Sequence, residues 1–150
     1  MVAQLTYDVD PAIGFKGMLS QNFNQPKQLE SRISEGGTIL YGNAVEAGTL
    51  PEQVITLASA ANFAGVAIFA HTQESNTGYD AGKSLPMMTK GRVWVLSGGV
   101  VAVGDEVVPN TAADTRFVTG TATSDLKAIA LTAVSAGDTL MEVELLGPQL

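Results

Sequence analysis

The chain contains no cysteine. That absence removes thiolate nucleophiles, cysteine-based zinc sites and disulfide staples, and it fits assembly in a reducing cytoplasm. Basic residues are scarce as well: eight Lys and Arg stand against fifteen Asp and Glu, for a net charge of −7. Lys16, Lys27, Arg32, Lys83, Lys90, Arg92, Arg116 and Lys127 are scattered. Neutralising phosphates needs clustered Lys and Arg, so nucleic acid is not an expected partner. The lack of a basic amphipathic face argues equally against an anionic membrane surface. Long apolar runs are missing too: residues 63–70 are too few and too glycine-interrupted to span a bilayer. The start shows no charged head followed by a continuous apolar stretch, so no secretory signal is expected and the protein reads as soluble. Charged residues make up only 15% of the chain, against a usual ~25%. Ala, Val, Gly and Thr take their place, and a surface of that kind suits close packing against other protein.

At 150 residues the chain suits one domain. A domain of about that size buries roughly 68–70% of the surface its unfolded form exposes, so a core without disulfides is feasible. The content falls into two parts, divided at Gly36-Gly37. Residues 1–36 form an extended arm that is polar and aperiodic, with Pro11 and Pro26 interrupting regular structure and at most a short helix over residues 28–33. Residues 37–150 form a body of short, glycine-punctuated β segments. Strands are expected around 38–41, 44–45, 54–57, 63–70, 85–89, 92–96, 100–103, 106–108, 116–119, 128–132 and 140–145, with a hairpin at Lys90-Gly91. The segment 63–70 is apolar on both faces, as a central strand is. In the last strand Met141, Val143 and Leu145 share one face, and Glu142 and Glu144 the other. The expected fold is all-β: a small jelly-roll or barrel-like β-sandwich carrying an extended N-terminal arm.

Three groupings resemble chemistry without completing it. Gly82-Lys83-Ser84 ends like a phosphate-binding loop, but Thr77 stands where the first glycine belongs and Leu85-Pro86 leads into a strand instead of a helix. His71, the sole histidine, has Glu74 nearby but no further residue at ligand spacing, and no Gly-x-Ser-x-Gly elbow offers it a nucleophile. Asp105, Glu106, Glu142 and Glu144 could be paired acids, yet strand alternation accounts for the last two and a turn for the first. Trp94 lies inside an apolar strand and reads as core. No enzyme activity, cofactor or metal is expected.

The arm is then the main clue. It lacks Gly/Ser-rich flexibility, and Tyr7, Ile13, Phe15, Met18 and Phe23, together with Pro11, are spaced so that they could fill successive shallow pockets. These six are the candidate partner-binding residues. The alternative is that they fold back on the protein's own body, since apolar burial is indifferent to whose surface is used. The polar stretch from His71 to Lys83 is either a second contact or an outward tip.

The motifs Asp10-Pro11-Ala12-Ile13-Gly14-Phe15-Lys16-Gly17-Met18, Gly42-Asn43-Ala44-Val45, Phe63-Ala64-Gly65-Val66-Ala67, His71-Thr72-Gln73-Glu74, residues 88–95 and Gly104-Asp105-Glu106-Val107 resemble the structural cement proteins of tailed-bacteriophage heads. The resemblance runs over most of the chain. It implies a small all-β protein that binds the outside of an assembled icosahedral shell as a homo-oligomer and clamps neighbouring major capsid subunits; composition does not choose between a homodimer and a homotrimer. It implies location on the virion exterior after assembly in the host cytoplasm, no catalysis and no cofactor. The competing class is a virion-surface adhesion or glycan-binding β module.

Overall fold

The computed structural model describes residues 16–19, 27–69, 78–112 and 114–148. Among these, the regular elements are eleven strands and one 3-10 turn (Ala60–Asn62). The strands are β1 (Gln28–Ser34), β2 (Ile39–Leu40), β3 (Ala44–Ala47), β4 (Gln53–Thr56), β5 (Gly65–Ala67), β6 (Gly78–Tyr79), β7 (Ser84–Leu96), β8 (Glu106–Pro109), β9 (Phe117–Thr119), β10 (Leu126–Ala130) and β11 (Leu140–Pro148).

Five strands close on themselves. β1 pairs in parallel with β4, then β3, β5 and β7 follow, and β7 returns to β1 in antiparallel register. The expected all-β, barrel-like fold is therefore present. The 13-residue β7 is the common element. Residues 84–90 pair with β1 and residues 90–96 with β11, from which β10, β8 and β9 continue. Phe117 of β9 then bridges back to Ser97, just past the end of β7, and receives the Gly98 N–H at 2.8 Å.

Two apolar clusters fill this arrangement, and they explain why several strands are apolar on both faces. Val45, Val54, Ala67, Leu85 and Met87 face one cluster, with Ile39, Tyr41 and Tyr79. Their neighbours Ala44, Val66 and Met88 face the other, with Val93, Val95, Phe117, Met141, Val143 and Leu145. Successive side chains point to opposite sides of a strand, so β3, β5 and β7 separate two cores and bury both faces. Each buried Val, Leu or Met contributes roughly 1.5–3 kcal/mol. In β11 the expected alternation holds: Met141, Val143 and Leu145 are fully buried, whereas Glu142 and Glu144 are partly exposed. Trp94 is buried, as expected.

Three expectations differ from the structure. Residues 28–33 belong to a strand, not a helix, held by register pairs from Gln28↔Lys90 to Ile33↔Ser84. Lys90-Gly91 is not a hairpin, because β7 runs straight through it. Gly91 has φ +127°, and register with β1 slips beside Thr89, between Gln28↔Lys90 and Leu29↔Met88. This bulge bends the strand and puts Val93 and Val95 in the same core as Met88, a switch of face that period-two reading attributes to a turn. Residues 100–103 are not a strand; Val101 alone makes a bridge, to Val134.

Candidate functional site

Of the six candidate partner-binding residues, Tyr7, Pro11, Ile13, Phe15 and Phe23 lie outside the described residues, as do His71 and Glu74. Met18 is described, and its surroundings show how the leading segment joins the barrel. The Gly17 N–H donates to the Trp94 carbonyl at 2.8 Å, and the Trp94 N–H donates to the Met18 carbonyl at 3.0 Å. Leu19 bridges Val93 and packs against the larger core, and the Phe69 N–H donates to the Gly17 carbonyl at 3.0 Å. Residues 16–19 thus line the edge of β7 opposite β11. Met18 itself stays half-buried.

This attachment depends on two facing glycines. Gly17 has φ +85°, and a Cβ on it would lie 2.7 Å from the Gly42 nitrogen; one on Gly42, at φ +79°, would lie 2.8 Å from the Gly17 nitrogen. Main chain meets main chain here, so no side-chain rotation makes room.

A polar network anchors the same point. The Lys16 ammonium pairs with Asp114 and donates to Asn43 Oδ1 at 3.3 Å. Asn43 also accepts from the Thr115 N–H at 3.1 Å, and Thr115 Oγ1 accepts from the Ala44 N–H at 3.2 Å. Arg116 joins Asp114 at 3.1 Å and Asp138 at 2.6 Å. Burial pushes the Asp114 carboxyl upward, but hydrogen bonds and positive charge from Lys16 and Arg116 outweigh it and hold it below the usual carboxylate range. Asp138, then Asp114, raise Arg116. These residues pin Lys16 to the turn before β3 and to the segment before β9.

The groups that could suggest catalysis have structural tasks. Asp105 Oδ2 accepts from the Ala102 N–H at 3.0 Å, Glu106 from the Ala122 N–H at 2.8 Å, and Glu142 faces Arg92 at 3.9 Å. The Gly82-Lys83-Ser84 segment turns directly into β7, and the Gly82 N–H donates to Ser34 at 2.7 Å, so its amides serve the sheet and no helix N-terminus follows. Among the described residues, no group of three or more His, Cys, Asp or Glu could hold a metal ion. A cleft of about 300 Å³ between β1 and residues 125–126, lined by Glu30, Arg32, Phe63, Met87, Thr89 and Asp125 among others, contains no nucleophile–base pair. Trp94 at 7% exposure offers no open ring to a sugar. Sequence reasoning missed Lys16 and Asp114, which are far apart in the chain and carry no motif.

The fold is thus a small closed-barrel β protein in which Asp105 and Glu106 accept from main-chain amides, Asp114, Asp138 and Glu142 face basic side chains, and the leading segment is laced to a central strand. Residues 3–146 match the family described as structural cement protein (E217 gp24/Pam3 gp6), and the chain belongs to this family of phage structural proteins. Among solved structures, it is similar to a chain in "The capsid of Myoviridae Phage XM1", with a TM-score of 0.65 and 16% identity, covering 96% of this chain and 97% of that one. At that identity the likeness speaks for the fold alone. No curated protein matches the sequence.

Proposed function

We propose that this protein attaches to the outer surface of an assembled icosahedral phage head and holds neighbouring major capsid subunits together, as a homodimer or homotrimer and without catalysing a reaction. The family match over nearly the whole chain carries the reading. The low share of charged residues supports it, since such a surface packs closely against protein.

The work is mechanical. A shell pressed from within by DNA fails where subunits part, and a protein spanning several subunits adds contact area that must first be lost. In this reading residues 37–150 are the body and residues 1–36 the arm. β1 is part of the barrel and residues 16–19 are fastened to it, so the reaching portion in this reading is what precedes Lys16, with Tyr7, Pro11, Ile13 and Phe15; Met18 belongs to the fastening and Phe23 follows it in the chain. An arm burying a few hundred Å² gains several kcal/mol at ~25 cal/mol per Å² before association costs. Repetition over a lattice multiplies this through avidity. A site built from several subunits exists only on the finished shell, so binding waits for assembly.

Co-sedimentation with empty mature shells tests the reading. The full chain is expected to pellet with shells and a chain beginning at Lys16 to bind at least tenfold more weakly while keeping its β signature. Equal binding by the two would remove the arm from the account, and no binding by the full chain would end the cementing reading altogether.

A further inference from the structure

We propose that residues 98–104 and 133–137 form a second docking surface, one that seats on an uncharged apolar patch of the capsid subunit beneath the body. The proposal rests on the capsid-binding reading above and assigns it a contact made by residues other than those of the arm.

The two loops are unusual first in composition. From Ser97 to Gly104, and again from Ala128 to Gly137, the chain has no charged residue. They are also adjacent. Val101 and Val134 exchange both main-chain hydrogen bonds, at 3.0 and 2.9 Å, and the Gly104 N–H donates to the Ala130 carbonyl at 2.8 Å. The outer side of this paired unit is open: Val100 is 73% exposed and Val103 65%, and Ala102 and Ala136 are exposed beside them. Isolated exposed apolar residues are ordinary, but here they share two paired stretches that carry no charge of their own, with Asp105 and Asp138 only at their ends.

The surface is also held rigid. The Ala102 N–H donates to Asp105 Oδ2 at 3.0 Å, and the Asp105 N–H donates to the Ala102 carbonyl at 3.2 Å. Gly104 at φ +89° supplies the left-handed residue of the turn. Such a turn favours Gly, Pro, Asn, Asp or Ser, and valine is a residue of pleated, half-buried strands. Val103 therefore serves neither the turn nor either core, and Val100, just before it, is likewise outside both cores; a departure from local preference such as Val103 marks a functional position. A fixed knob loses little conformational freedom on docking.

Area decides between occupants. Two valines and their small neighbours fall well short of the roughly 800 Å² per partner that a stable protein pair buries. The surface cannot hold a second copy in solution, but it suffices as one of several simultaneous contacts on a lattice, where each need add only modestly.

The test is saturation binding of the full-length V100S/V103S variant to mature shells, at low and high salt, beside the wild-type chain. Both side chains are exposed, so the melting temperature should stay within about a degree or two of wild type, as for other surface substitutions. The expected result is at least fivefold weaker binding at both salt concentrations, with an unchanged mass in solution. Wild-type affinity in the variant overturns the proposal, as does a change of oligomeric mass, which would assign the surface to contact between copies. Failure of the wild-type chain itself to bind shells is a separate result, and it removes the capsid-binding reading together with this one.

Discussion

Replacing Gly17 with alanine isolates the fastening of the leading segment. At φ +85° an L side chain is strained by roughly 1–2 kcal/mol. The added Cβ would also stand 2.7 Å from the Gly42 nitrogen and 2.8 Å from the Tyr41 Cβ, neither of which is the movable end of a flexible side chain. Against this stand three main-chain hydrogen bonds, through Trp94 and Phe69, worth about 1 kcal/mol each net, and the packing of Leu19. Strain and hold are of the same size, so the segment should spend much of its time released. β7 keeps its ladder with β11, including Glu142↔Trp94, so the barrel should remain folded. Hydrogen exchange reads the outcome directly, because the Trp94 and Phe69 amides are protected by residues 18 and 17. A loss of about 1.4–2.8 kcal/mol corresponds to 10–100-fold faster exchange at those two amides, with little change along β10 and β11. Unchanged protection of Trp94 and Phe69 in Gly17→Ala would refute the view that this close approach holds the segment down.

Two further outcomes follow from the core and from the charge network. Phe117 is fully buried, meets the Phe63 ring edge-on with centroids 6.0 Å apart and carries the bridge to Ser97, so Phe117→Ala should lower stability by roughly 3–5 kcal/mol in urea unfolding. A loss under 1 kcal/mol would mean that the β11-β10-β8-β9 part of the sheet does not depend on that closure. Asp114 lies below its ordinary carboxylate range when folded, so its contribution is present above the unfolded value of about 4 and is lost as pH falls through the folded value. Melting temperature should therefore drop on acidification less steeply in Asp114→Asn than in wild type. The difference should be small, because the side chain is 45% exposed.

Much of the β architecture was legible because the strands report which face is buried. β11 alternates cleanly, and β5 is apolar on both sides because it lies between two cores. β1 was not legible for the opposite reason. Its apolar Leu29 and Ile33 point outward, at 41% and 37% exposure, while Glu30 and Arg32 line the cleft, so its pattern carries little inward signal and its pairing with β7 and β4 defines it. At Gly91 a lysine-glycine pair resembles a turn, and only the pairing partners on both sides of β7 show a bulge. The Val-rich stretch after Gly99 resembles a strand by composition, yet its valines are mostly outside. The fastening by Lys16, Asp114 and the Gly17–Gly42 approach depends on residues distant in the chain, which spacing cannot bring together.

The central claim is mechanical, and the release of packaged DNA on heating tests it most directly. Heads saturated with the full chain should release their DNA at a higher temperature than bare heads, and heads carrying the chain that begins at Lys16 should fall between the two or match the bare ones. Identical release temperatures for bare and fully decorated heads would contradict a cementing role.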